Sequence, residues 1–355
     1  MRSRRQRAIA ITEAAGARAL VVAHPSAVTW LTGYAPEIET GPSPFALSAI
    51  AVLASDGTPV LVVSEDEADD AAATGCEVAA YPGFGIGPVD PVGAAARTLA
   101  DVLDGPSVAI DAGTLPAALA LGLDWVDVGD VLTRARAVKD PDEIELIRAA
   151  IAVCDAGQRA ARAYATAGIS ELDLWAVIRG AMETYAQARL PVLADLVSGP
   201  RTREVGGPPS TRALAEGDLV LCDLVPRVAG YWGDSCATFA VGEPNADARA
   251  AHARSHATLA DVVAAIRPGV VAGELDALAR AQLEFPHHTG HGLGTSWHEE
   301  PRLVPGSTTV LEAGMIVAIE PGTYEGVGVR LEQVVLVTAA GCDVLSGHDL
   351  SLDRG

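Results

Sequence analysis

Nowhere in this sequence do uncharged apolar residues run for the roughly 18 positions that a membrane span needs, although apolar residues make up 49% of the chain. A secretory leader core is missing too. The opening MRSRRQRAIAITEAAGARALVV has an arginine cluster, but Glu13 and Arg18 interrupt its apolar run, so it reads as an exposed first helix followed by a strand. Paired or metal-site cysteine spacing is also absent. Five cysteines, an odd number, predict a reducing, cytoplasmic setting. Basic charge is in deficit: 25 Lys and Arg against 46 Asp and Glu give a formal charge of −21, which argues against a nucleic-acid or anionic-membrane partner. No short-period repeat or low-complexity tract appears. The length of 355 residues exceeds a usual single core and predicts two domains.

Residues 1–135 alternate short apolar strands with helical stretches. ALVVAHP, SAIAVLAS, PVLVVSE and SVAIDAG each read as a buried strand ended by a turn signal. Ala-rich PVGAAARTLADVLDG fits a helix stopped by Gly105 and Pro106. This predicts an α/β domain without a catalytic cluster of its own. Residues 136–355 begin a second domain. Asp140 as N-cap, Pro141 at the first helical position and Glu143 in a capping box open a long helix. Ile144, Ile147, Ile151 and Cys154 mark its buried face. A further helix starts at Ser170, and beyond residue 215 the pattern turns to strands: DLVLCDLVPRV, GYWGDSCATFAVG, GMIVAIEPGTY and VRLEQVVLVTAAG.

The chemistry concentrates in those strands. Asp223 follows the apolar run LVLC, and a buried carboxylate needs a counter-charge. Asp234 lies eleven residues on, past a turn at Ala229 and Gly230 that predicts a hairpin holding both carboxylates side by side. FPHHTGHGLGTSWHEEP sets His287, His291 and His298 among Gly290, Gly292 and Gly294, which implies backbone packed closely around His291 with His298 returning to the same cleft. Glu320 ends the strand MIVAIE, and alternation in VRLEQVVLV sets Arg330 and Glu332 on one face. Asp223, Asp234, His291, Glu320 and Glu332 form an oxygen-rich donor set suited to two divalent ions. Two such ions neutralise four carboxylates, with a hydroxide as the excess charge and the nucleophile.

Together these segments resemble the pita-bread metallopeptidase family, which includes methionine aminopeptidase, prolidase, aminopeptidase P and creatinase. SAVTWLTGY looks like the N-terminal domain shared by prolidases and creatinases, RARAVKDPDEIELIRAA like their interdomain helix, and GHGLG…HEEP, EPGTY and VRLEQVVLV like the metal-site strands, in order. The resemblance implies an α+β architecture: a creatinase-like α/β domain followed by a pita-bread catalytic domain. It implies that Asp223 holds one metal, that His291 and Glu320 hold the other, and that Asp234 and Glu332 bridge them. Glu320 also takes the proton from the bridging water, His298 binds the substrate carbonyl or the developing oxyanion, His287 lines the substrate pocket, and Arg330 orients Glu332 and its neighbours. The implied reaction is hydrolysis of Xaa-Pro bonds in small peptides by a homodimer, with Mn(II) first among Mn, Co, Zn and Fe.

Three positions depart from the family pattern. Family peptidases carry a histidine about seventeen residues before the first aspartate, where this chain has Gly206. Their Thr-Arg-Thr after the second aspartate reads Cys236-Ala237-Thr238, and their Asp-Leu-Gly reads Asp223-Leu224-Val225. Cys236 shares a strand face with Asp234; a packed, inert thiol is the expectation. Arg201 and Arg203, in the loop with Gly206, offer a bidentate receptor for a substrate carboxylate. The alternative function these departures suggest is a non-peptidase small-molecule amide or C–N hydrolase, or a lyase, on the same two-metal scaffold.

Overall fold

The β-branched segments of the first third pair into one six-stranded sheet. The computed structural model describes residues 3–36, 45–54, 56–87 and 89–354, which divide into two units, Met1–Arg136 and Ala137–Gly355. Met1, Arg2 and Ser55, at the ends of segments read above as helix and strand, lie outside the described residues. In the first unit the strands are β1 (Ala19–Val22), β2 (Ile50–Ala54), β3 (Pro59–Ser64), β4 (Glu77–Tyr81), β5 (Ser107–Ile110) and β6 (Asp124–Asp127). Their order is β4-β3-β2-β1-β5-β6, with β1 antiparallel to β2 and parallel to β5. All four residues of β1 are buried, as expected for a central strand covered on both faces. Edge strand β6 is exposed throughout and has an aspartate at each end, a charged edge that discourages pairing with another chain. The helix Pro91–Val102 starts where the Asp90 carboxylate accepts from the Gly93 amide.

In the second unit the predicted capping box opens the helix Pro141–Tyr164: Glu143 accepts from the Asp140 amide at 2.9 Å. Ile147, Ile151 and Cys154 are buried along it. Strands β7 (Val192–Ser198), β8 (Leu219–Val228), β9 (Tyr231–Trp232) and β10 (Cys236–Ala240) follow the helix Glu171–Ala186. They pair as β10-β8-β7, with β9 also on β8. Beyond the helices Ala246–Ala265 and Ala272–Arg280 come β11 (Gly290–Gly292), β12 (Glu299–Leu303), β13 (Ile316–Ile319), β14 (Gly322–Thr323), β15 (Val329–Arg330), β16 (Gln333–Val337) and β17 (Cys342–Val344). Five of them form a second sheet in the order β12-β11-β13-β16-β17.

Each sheet has its own core. Leu174, Ile178 and Met182 pack with Leu224 and Phe239 under the first, and Leu259 and Val262 pack with Val317, Ile319 and Val335 under the second. Hydrogen bonds from the Glu332 amide to the Cys236 carbonyl (2.9 Å) and from the Thr238 hydroxyl to the Arg330 carbonyl (3.0 Å) tie the two sheets together. The chemistry-bearing side chains gather at that junction.

Candidate metal centre

Asp223 interrupts the apolar run of β8. Ala229 and Gly230, after its end, both have positive φ (46° and 87°), the two-residue turn whose twist suits a hairpin. The strand expected to run on through Asp234 stops at Trp232 and resumes as β10 at Cys236, the cross-strand partner of Asp223. Asp234 occupies the break. Its carboxylate joins those of Asp223 and Glu332 in a group whose donor atoms lie within 4.8 Å of one another.

His291 comes from β11, between β12 and β13. The glycines flanking it are required by close approach: a Cβ on Gly290 would lie 2.2 Å from the Ala318 carbonyl oxygen, and one on Gly292 2.1 Å from that of Glu300. The His291 Nδ1–H donates to the Gly292 carbonyl at 3.0 Å, which leaves Nε2 as the nitrogen able to ligate a metal ion. That Nε2 stands 3.4 Å from Glu320 Oε1 and 3.6 Å from Asp234 Oδ2. His288, His291, His298 and Glu320 make the second group with convergent donor atoms.

Sequence reasoning passed over His288. Arg302 Nη2 lies 3.0 Å from its Nδ1, and a guanidinium can only donate. Nδ1 is therefore the acceptor, and Nε2–H donates to Glu320 Oε1 at 2.7 Å. His288 thus fixes the Glu320 carboxylate from outside, as supporting groups do around metal ligands. The doubled histidine of HHTGH was the available signal; the partner Arg302 lies fourteen residues away.

Electrostatics separate the carboxylates. Burial, then the charges of Asp223 and Glu320, push the Asp234 carboxyl well above its usual range. Burial and the charges of Asp234 and Asp223 do the same to Glu332. Burial raises Asp223 to about 6 against the opposing pull of Arg330. Glu320 goes the other way: burial would raise it, but the hydrogen bond from His288, with His291 beside it and the charge of Arg330, holds it well below the usual range. Asp223 Oδ1 and Glu332 Oε1 are buried without a hydrogen-bond partner. Carboxylates this close and this buried ionise together only with cations between them, so the residues present fit divalent metal ions.

His298 lies with its ring 3.9 Å from that of His291 and 4.9 Å from that of His288. Burial, then the neighbouring histidines, depress it to about 3, so it is a neutral imidazole at pH 7. His287 accepts from the Tyr324 hydroxyl at 2.8 Å when its Nδ1–H is on the His288 carbonyl, and burial lowers it to about 4. Both line a cleft of about 440 Å³ together with Asp195, Asp223, Asp234, Glu320, Trp297 and Arg330.

Two expectations need correction. Of Glu332 and its neighbours, Arg330 reaches the neighbours and not Glu332 itself, because the strand breaks at Leu331–Glu332 between β15 and β16. Its guanidinium instead pairs with Asp223, lies 3.3 Å from Asp195 and 3.8 Å from Glu320, and donates to Cys236 Sγ at 3.4 Å. Arg201 and Arg203 do not line the cleft. Arg201 is held by buried Glu171, by Ser210 Oγ (3.1 Å) and by the Pro208 carbonyl (3.0 Å), since that buried carboxylate needs a cation. Arg203 is exposed. Cys236 is a fully buried thiol that burial pushes well above its usual range.

Residues 145–339 match metallopeptidase family M24, and residues 4–138 match the creatinase/prolidase N-terminal domain. The chain therefore belongs to the pita-bread metallopeptidase family M24. The probable dipeptidase PepE of Mycobacterium tuberculosis is 37% identical over 239 residues, or 64% of this chain and 63% of that relative, so the match spans somewhat under two thirds of the relative's length. The Xaa-Pro dipeptidase of Pyrococcus furiosus is 33% identical over 238 residues, 64% of this chain and 68% of that protein. Among solved structures, dipeptidase PepE from Mycobacterium ulcerans covers 99% of this chain and 96% of its own, with a TM-score of 0.80 at 29% identity. The family implies divalent metal ions, in keeping with the donor set. Among the described residues no helix is long and apolar enough to cross a membrane.

Proposed function

We propose that this protein is a metal-dependent hydrolase of short peptides that cleaves Xaa-Pro bonds, and that it works as a cytoplasmic homodimer. One observation carries the reading: Asp223, Asp234, Glu320 and His291 line a single cleft of about 440 Å³ beside two neutral imidazoles, a volume suited to a small ligand, and Glu332 is grouped with the two aspartates. Asp223, Asp234, His291, Glu320 and Glu332 would hold two divalent ions, Mn(II) first and Co, Zn or Fe as alternatives. When bound, the ions supply Lewis acidity and a water activated for attack at neutral pH. Glu320, kept ionised by His288 and His291, is the group to accept the proton of the attacking water. His298, neutral and at the cleft wall, donates to the carbonyl oxygen as negative charge develops there. The preference for proline rests on likeness to the Xaa-Pro dipeptidase above.

The second reading, an amide or C–N hydrolase acting on another small molecule, is favoured by one observation, Gly206 in place of a side chain beside the cleft. The test is hydrolysis of Xaa-Pro and Xaa-Ala dipeptides and tripeptides by Mn(II)-loaded protein, with Asp234→Asn as control. Expected are cleavage of the Xaa-Pro series, its loss in the variant, and a lower metal content of the variant. Two bound metals per chain without cleavage of any peptide would overturn the peptidase reading in favour of the second.

A further inference from the structure

Strand β7 reads VLADLVS, apolar but for one acid, and its register sets Asp195 directly opposite Asp223. Both carboxylates face the same Arg330 nitrogen, Nη2. Gly206 packs against Asp195 from the other side: a Cβ there would lie 2.0 Å from Asp195 Oδ2 and 2.5 Å from its Cγ. The glycine and the acid are therefore a matched pair, since any side chain at 206 would occupy the space of the Asp195 carboxylate.

The preceding residue is built for this. Val205 has φ 74° and ψ −47°, γ-turn backbone that is strained for a β-branched residue. Its carbonyl accepts from Arg330 Nη1 at 3.0 Å. The strained turn thus docks the loop on Arg330 and presents the bare Gly206 to Asp195.

Asp195 retains capacity. Its side chain is 38% exposed, and its surroundings in the cleft include the apolar Leu193, Ala194, Val225 and Trp297. Arg330 is shared with Asp223, so lone pairs of Asp195 remain open to the cleft. We propose that Asp195 is a specificity-determining residue that receives the α-ammonium group of the substrate. The proposal rests on the hydrolase reading. With the scissile carbonyl held among the metal donors, the α-nitrogen lies two bonds from the carbonyl carbon and falls within reach of the wall that Asp195 and Asp223 form. An acylated α-nitrogen carries no charge and one N–H, so it forgoes the charge-assisted hydrogen bond.

The test is calorimetric binding of a ketomethylene isostere of an Xaa-Pro dipeptide, which cannot be hydrolysed, in free-amine and N-acetyl forms, to Mn(II)-loaded protein. Wild type is expected to prefer the free amine by about 10- to 100-fold, the worth of a hydrogen bond to a charged group. Asp195→Asn keeps the shape and an acceptor for Arg330. It should bring that preference to within about threefold, the free-amine ligand alone weakening, with metal content unchanged. Gly206→Ala, which displaces the Asp195 carboxylate, should reduce the preference likewise. Equal binding of the two forms by wild type, or a preference retained in Asp195→Asn, overturns the proposal. Hydrolysis of the parent dipeptide by the same wild-type sample separates the readings: amine preference without cleavage sinks the peptidase and keeps Asp195, whereas cleavage without amine preference sinks Asp195 alone. Binding of neither form, with no cleavage of the parent dipeptide, sinks both.

Discussion

Lys139 is the only lysine in the chain, and its replacement by methionine should be among the most damaging single changes outside the metal donors. Its ammonium donates to Glu299 Oε1 at 2.8 Å and to the Ala137 carbonyl at 3.0 Å, and both charged side chains are 1% exposed. Lys139→Met keeps the apolar stem but takes the ammonium away from the buried Glu299 carboxylate. Breaking such a pair costs about 3–5 kcal/mol. Protonating an ordinary glutamate at pH 7 costs about 4 kcal/mol, which caps the loss near that figure. For a unit of this size the expected fall in Tm is about 6–16 °C.

The functional consequence follows from position. Glu299 comes directly after His298, and a Cβ on Gly294 would lie 2.2 Å from Glu299 Oε1 and 3.1 Å from the Lys139 stem. The ion pair therefore anchors both ends of the segment that carries Trp297 and His298. Urea unfolding of wild type, Lys139→Met, Glu299→Leu and the double variant gives the coupling directly. The double variant should regain most of the loss, because both members of the pair are removed together. A loss below about 1 kcal/mol in Lys139→Met, or a double variant no better than that single one, refutes the reasoning.

Away from the ion pair, His298→Ala should lower kcat by about 10²–10³-fold with unchanged metal content, the loss expected for one oxyanion donor; unaltered kcat in single-turnover kinetics would remove His298 from the chemistry. In the first unit, burial and then the charge of Arg136 lower the pKa of His24, against the pull of Asp111, and its Nδ1 accepts from the Ser26 amide at 3.3 Å to cap the helix Pro25–Thr32. The unfolded chain protonates His24 near 6.5 while the folded chain resists, so its contribution is complete above that pH and is lost as pH falls below it toward the depressed folded value. His24→Asn keeps a capping acceptor and removes the titration; its urea stability should decline less than that of wild type between pH 7 and pH 5.5, and parallel declines would contradict the assignment.

What the sequence made legible was local oddity. Asp223 after LVLC, Glu320 at the end of an apolar strand and His291 between glycines each break the chemistry of their surroundings, and each sits at the junction of the sheets. The capping box at Asp140 and the turn at Ala229–Gly230 were readable for the same reason, being written in adjacent residues. Partners distant in sequence were not readable. Glu171 lies thirty residues from Arg201, so nothing in the loop revealed that this arginine was already engaged. Arg330 and Glu332 were placed together by strand alternation, a rule that holds only while a strand continues, and this one breaks at Leu331.

Asp195 is the instructive omission, because half of its signal was in view. Gly206 was marked as a missing side chain, and one acid stood in an otherwise apolar segment eleven residues earlier. What joined them was the register of β7 on β8, which sets Asp195 against Asp223, and register follows from the pairing of whole strands. The absence at 206 and the charge at 195 therefore form one substitution spread over two elements. The cleft keeps its donor set while its wall changes from a side chain at 206 to a fixed anion at 195. Such an exchange alters which substrates are held before it alters how they are attacked, so a change in selectivity with the metal chemistry retained is the consequence this geometry favours.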